Sequence, residues 1–181
     1  MIALALTASA SVFAKDSNGS FAIKGIGTFP CTSFIQAASK DAPELQQYAG
    51  YLAGYVSAYN EIHSDTFDLL PWQQLDTVML LVLQRCQQTP DASVAGVVSQ
   101  IAQYFAKDSL NQAQQKVEIK GPNGSVQLFP SVVSQITDAL KAQGYDTSDL
   151  WKAMRKYQED KLLVGEHPFE QLILLKLLYG N

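Results

Sequence analysis

Residues 75–86 read LDTVMLLVLQRC, and this run decides the fold class. It is dense in apolar side chains for twelve residues, longer than the usual four to eight of a buried strand. Gln, Pro and Asp flank it, so it reads as a buried helix ending in Cys86. Pro90 stops it, and Asp91 is placed to cap the next helix. That helix carries Val94, Val97, Val98, Ile101 and Phe105, an apolar stripe at helical spacing.

Upstream, residues 60–72 (NEIHSDTFDLLPW) read as a loop or a broken helix. Before them, Leu45, Tyr48, Leu52, Tyr55, Val56 and Tyr59 repeat with helical spacing. Asp41 and Glu44 have capping-box spacing with Pro43 in the first turn. Gly50 and Gly54 lie four apart on one face, where they would let a second helix approach closely. Each costs about 1 kcal/mol against alanine, so packing is the expected compensation. The tyrosines Tyr48, Tyr51, Tyr55 and Tyr59 read either as an aromatic ligand surface or as core residues with hydroxyls at the edge. A short helix is expected over residues 31–38. Residues 15–28 are polar and glycine-rich, a flexible lead-in, and Gly25-x-Gly27 lacks the remaining parts of a phosphate loop.

Residues 2–14 (IALALTASASVFA) are apolar and small, and end Val12-Phe13-Ala14, which fits the small-x-small rule of a signal-peptidase site. Residues 1–14 therefore read as a secretory signal, although no positive n-region precedes the apolar run. A buried N-terminal helix is the alternative. No other segment reaches the ~20 apolar residues of a membrane helix. The expectation is an exported, periplasmic protein that is not integral to the membrane. In an oxidising compartment Cys31 and Cys86 read most simply as one disulfide, with two buried thiols as the alternative. Closing that loop would stabilise the fold by roughly 4 kcal/mol in the chain-entropy model.

Downstream the character changes. Residues 107–116 (KDSLNQAQQK) are polar and read as a linker. Residues 117–129 alternate around a Gly-Pro-Asn-Gly turn, a β-hairpin that must pack on something to persist. Pro130 then opens a helix carrying Val133, Ile136 and Leu140, with Gly144 as its C′ residue. Thr147 or Ser148 is placed to cap a second helix with Leu150, Met154 and Tyr157. The connection around Val164 and Gly165 leads to a third helix, over about residues 168–179. The predicted fold is mainly α: a disulfide-clamped helical domain over residues 29–106, the linker, and a hairpin plus three-helix module over residues 117–181.

Of 181 residues, 47% are apolar and only 17% charged, against roughly 25% charged in an average soluble protein. Disorder is excluded for most of the chain. The net charge of −4 argues against nucleic acid, which needs a clustered basic surface. Two cysteines are too few for a zinc site of cysteines alone. The sequence has no Gly-x-Ser-x-Gly elbow and no His-Glu-x-x-His. His63 lies near Glu61, Asp65 and Asp68, which reads as a solvated loop or, more weakly, a metal site. His167 sits beside Pro168 with no partner visible in sequence. No catalytic residue, cofactor or metal is assigned.

Two stretches carry family resemblances. Pro30-Cys31-Thr32-Ser33-Phe34, Gly50-Tyr51-Leu52-Ala53-Gly54-Tyr55, and Arg85-Cys86 before Pro90 resemble the small secreted helical domains of the HdeA-like acid-stress chaperone group. The resemblance implies an all-helical, disulfide-clamped fold and carries over no catalytic residue. That group includes chaperones, secreted immunity proteins and members without an assigned role. The second stretch is similar to the peptidoglycan-binding domain type 1. Its carriers are Ala139-Leu140-Lys141-Ala142-Gln143-Gly144-Tyr145, Ala153-Met154-Arg155-Lys156-Tyr157-Gln158 and Leu163-Val164-Gly165. The family's glycine-rich loop between its first two helices is replaced here by Asp146-Thr147-Ser148-Asp149-Leu150, so the resemblance implies the three-helix fold more firmly than the binding.

These readings lead to a non-catalytic envelope protein that binds a protein partner, with peptidoglycan as a further candidate ligand and self-association left open. It would be an accessory or structural component of a larger assembly such as a secretion or motility machine. The alternatives are an acid-activated chaperone, in which protonation of carboxylates exposes apolar surface, and a secreted immunity protein against a toxic effector. Tyr145, Trp151 and Tyr157 are the candidates for wall or partner contact, because aromatic rings stack on sugars. Helix-bundle core is their competing role.

Overall fold

A computed structural model describes residues 16, 20–122 and 124–180. The expected signal at residues 1–14 lies outside the described residues, as do Lys15 and residues 17–19 of the lead-in and Asn123 of the hairpin turn. The chain is mainly helical. The described residues form seven α-helices, one 3-10 turn and one two-stranded hairpin. The helices are α1 (Cys31–Ser39), α2 (Glu44–Ile62), α3 (Leu75–Gln88), α4 (Val94–Ala106), α5 (Pro130–Ala142), α6 (Leu150–Asp160) and α7 (Gln171–Tyr179). The strands β1 (Val117–Gly121) and β2 (Gly124–Leu128) precede α5 and pair antiparallel, from Val117 opposite Leu128 to Gly121 opposite Gly124.

The first core lies among α1 to α4. Cys31 and Cys86 form the disulfide, both wholly buried, joining the start of α1 to the end of α3. Backbone bonds repeat the same tie. The N–H groups of Cys31 and Thr32 donate to the carbonyls of Ala92 and Pro90, at 2.8 and 3.1 Å. The N-cap of α1 is Pro30, which offers no side-chain acceptor, so these carbonyls satisfy donors that the helix start leaves open. Phe34 packs on Tyr48 with ring centroids 4.7 Å apart, above Leu52, Val78, Val82, Val97 and Phe105.

Three helix starts and one packing expectation need correction. Asp41 does not cap α2. Its φ is +47°, and it serves as the left-handed residue that closes α1. The N–H of Ala42 donates to the Ala37 carbonyl at 3.0 Å and that of Asp41 to Ala38 at 3.4 Å, a Schellman pattern. Helix α2 starts at Glu44 without a side-chain cap. Ser93, not Asp91, caps α4 by accepting from the Gly96 N–H at 3.2 Å. Asp149, rather than Thr147 or Ser148, caps α6 by accepting from the Lys152 N–H at 3.1 Å. Gly50 and Gly54 face open space, since a Cβ added at either would meet nothing within 4 Å. Among the described residues no helix packs there.

The second core gathers Leu128, Phe129, Val132, Ile136 and Leu140 with Trp151, Met154, Tyr157, Ile173, Leu174 and Leu177. Gly144, at φ +85°, ends α5 as expected, and the N–H of Tyr145 donates to Leu140. The hairpin rests on α6 through Gly121, where an added Cβ would overlap the Trp151 indole. Helix α7 begins at Gln171, later than expected, because Pro168 and Phe169 are spent as a buried loop.

The cores meet where the sequence suggested a loop and a linker. Asp68 and Leu110 exchange backbone hydrogen bonds at 3.0 and 2.8 Å. Leu110 is buried in the second core beside Trp72. A buried loop needs partners for its backbone. Here Asn60 accepts from the Leu69 N–H at 2.8 Å and Asp68 from the Leu70 N–H at 3.0 Å. Helix α7 closes the junction. Ile173, Leu174 and Leu177 enter the second core, while Leu175 and Tyr179 also pack against the first. Gln171 holds the crossing from both sides, donating to the Trp72 carbonyl at 2.9 Å and accepting from the Gln74 N–H at 2.8 Å.

Candidate functional site

Burial decides where the sequence candidates act. Trp151 and Tyr157 are 3% and 1% exposed and belong to the second core. Tyr145 is half-buried, meeting Tyr157 edge to face at 5.8 Å. Loss of solvent, then the charge of Asp160, pushes its hydroxyl pKa up. Trp151 also lines a groove of about 490 Å³ between the hairpin and α6, whose rim carries Lys120, Lys152, Lys156 and Glu159. The α2 tyrosines divide: Tyr48 is core, while Tyr51, Tyr55 and Tyr59 pack against the core with one side. His63 stacks on Tyr59 at 3.6 Å, and its Nδ1 lies 3.0 Å from the Tyr59 carbonyl. Among the described residues no group of three His, Cys, Asp or Glu is placed to hold a metal ion.

The most unusual geometry lies in the connection from α6 to α7. Helix α6 ends in a Schellman turn, with the Leu162 N–H donating to Glu159 at 3.0 Å and the Leu163 N–H to Gln158 at 2.9 Å. The residue in the left-handed position is Leu162, at φ +52°. Glycine is the ordinary occupant there, because a Cβ costs roughly 1–2 kcal/mol in that conformation. Leu162 recovers nothing by burial, since it is 89% exposed, and Val164 two residues on is 96% exposed. Leu163 between them turns inward against the second core.

This loop is braced from below. Buried Gln158 donates through Nε2 to the Gly165 carbonyl at 2.7 Å. Arg155 donates through Nη1 to the Gln158 Oε1 at 2.8 Å and through Nη2 to the Glu166 carbonyl at 2.9 Å. Glu170 accepts from the His167 N–H at 2.9 Å, and its carboxylate fills the space beside Gly165. His167 Nδ1 accepts from the Phe169 N–H at 3.1 Å, which places the neutral ring's proton on Nε2. Burial lowers the His167 pKa against the opposing charge of Glu170. The result is two bare apolar side chains held outward on a fixed backbone.

Neither Leu162 nor Val164 stands out in the sequence as a contact residue. The available signal was a leucine at the position where a helix of this length ends, before any glycine. The chain matches no protein-family model, no curated protein and no solved structure with which it was compared. No helix among the described residues is long and apolar enough to cross a membrane.

Proposed function

We propose that the chain is an exported, non-catalytic envelope protein that docks onto a protein partner through its α6–α7 loop. The observation that carries this reading is Leu162: a strained backbone and a water-exposed leucine are both unfavourable in the isolated chain. Such outliers persist where the surface has a use. The rigid bracing by Arg155 and Gln158 supports the same reading, because a fixed loop loses less entropy on binding. The buried Cys31–Cys86 disulfide supports an oxidising compartment. In this reading residues 29–106 are the HdeA-like clamped domain, and residues 117–181 are a peptidoglycan-binding-like module whose surviving surface faces a protein subunit of a larger assembly.

The test compares the native chain with Leu162→Asp/Val164→Asp in cross-linking and affinity purification from the envelope fraction. A defined partner retained by the native chain and lost by the double variant is the expected result. Equal recovery by both proteins overturns the assignment of the loop. Sedimentation with purified sacculi separates the wall reading, which full recovery in the unbound fraction removes.

A second reading, the acid-activated chaperone, has one observation in its favour. Hydrogen bonds hold the carboxyls of Glu118, Asp146, Asp149 and Asp160 below their ordinary range, and His167 is also held down. All lie in residues 117–181, where protonation would weaken the hydrogen bonds that these carboxylates accept. Failure to suppress client aggregation by light scattering in strong acid would remove this alternative.

A further inference from the structure

We infer that the groove between α3, α4 and α7 binds a small amphiphilic carboxylate, a ligand with an apolar body and one anionic head. The groove has a volume of about 450 Å³ and uses none of the α6–α7 loop residues. Leu81 and Arg85 face it from α3, four residues apart and therefore on one side of the helix. Ile101 and Tyr104 line it from α4, and Leu175 and Tyr179 from α7. Phe105, 1% exposed, sits beneath the aromatic wall, with centroids 5.5 Å from Tyr104 and 5.4 Å from Tyr179. Tyr104 is left 49% exposed at the groove although its neighbours are packed.

Charge selects the ligand. Arg85 is the one charged side chain among the described residues of the lining. Among the described residues its guanidinium donates only from Nη1, to Gln88 at 3.2 Å, and it has no ion pair. Four of its five N–H donors remain available in a planar fork that matches a carboxylate. Lys107 Nζ lies outside the lining, 4.8 Å from the Tyr104 ring centre and 5.4 Å from that of Tyr179, and is paired with Asp108 at 4.0 Å, so it adds no net charge to the groove. Arg85 is therefore the unpaired charge at the apolar slot, opposite in sign to the chain's net charge of −4. An anionic head on Arg85 would leave the apolar body against Leu81, Ile101 and Leu175, with Tyr104 covering it.

Size favours a small ligand over a protein surface. Small-molecule sites occupy roughly 300–1,000 Å³ with mostly apolar lining and few polar groups. A standard protein interface draws on roughly 20–30 residues a side, far more than line this groove.

The test uses the full chain with decanoate, decanol and decyltrimethylammonium as probes, read by calorimetry and by amide chemical shifts. Decanoate is expected to bind saturably, with shifts centred on Arg85, Ile101, Tyr104 and Tyr179. The cationic probe is expected to bind at least about tenfold more weakly, and Arg85→Gln to cost decanoate about tenfold while leaving decanol unchanged. Tyr104→Ala should weaken both decanoate and decanol. Equal affinity for the two charged head groups, shifts centred elsewhere, or no saturable binding overturns the inference. Binding of a short acidic leucine-rich peptide without binding of decanoate also overturns it, in favour of a protein ligand. The head-group comparison needs no variant, so a variant that misfolds leaves the test intact.

Discussion

Replacing Leu162 with glycine should make the protein more stable and a poorer binder. The leucine occupies φ +52° as the C′ residue of α6, where its Cβ costs roughly 1–2 kcal/mol. Glycine removes that cost but loses more backbone freedom on folding, by roughly 0.5–1 kcal/mol. The side chain is 89% exposed, so little burial is forfeited. The net gain is about 0.5–1 kcal/mol, which in a chain of this size raises Tm by about 1–3 °C. Leu162→Ala is the control, since alanine keeps the Cβ and its strain. Thermal unfolding of the native chain and both variants reads the two terms separately. Only glycine should gain, whereas both variants should lose partner capture. A glycine variant with a lower Tm would refute the reasoning, because it would mean that the leucine side chain is packed rather than held in water.

Other substitutions probe the joints of the fold. Gly121→Ala should cost about 1–3 kcal/mol by driving a methyl group into the Trp151 ring, read as a lower denaturation midpoint in urea. Cys31→Ala/Cys86→Ala should cost about 2–5 kcal/mol, because it releases a closed loop spanning a sequence separation of 55 from the core; an unchanged Tm would contradict the placement of the bond. Burial lowers the His167 pKa below the ordinary 6.5, against the opposing charge of Glu170. A depressed pKa means that the unfolded state binds the proton first. Its contribution is therefore complete above about pH 6.5 and is lost as the pH falls toward the folded value. Stability measured across that window should slope downward into acid, and His167→Leu should flatten the slope.

Much of the fold is legible in sequence because it rests on strong local periodicity. Residues 75–86 and the Val94 to Phe105 stripe are long enough that only one secondary structure buries them. The hairpin likewise follows from its alternation and turn residues. Helix starts were less legible because several small polar residues competed for each cap. Asp41 preceded a helix by spacing yet was drawn into ending the previous one, where aspartate tolerates a positive φ. The junction escaped because Leu110 is a single apolar residue in polar surroundings and Trp72 closes a short apolar run broken by Pro71, and only tertiary contact shows that they share a core. The exposed loop escaped for a different reason. The sequence places Val164 in a connection but does not show which of its apolar side chains face out, and the exposure of Leu162 and Val164 follows from the turn that ends α6. The groove beside Arg85 draws on three helices distant in sequence, and no local pattern marks it.

Helix α7 gives the chain an order of completion. The disulfide loop lies within residues 31–86, so the first core can gather and cross-link before the C-terminal residues are in place. Its edge at Phe105 nevertheless waits for Tyr179, and the second core waits for Ile173, Leu174 and Leu177. Both cores therefore share one late-arriving lid. A chain cut short before residue 171 would leave apolar surface bare on both cores at once. In the finished molecule one helix covers both surfaces.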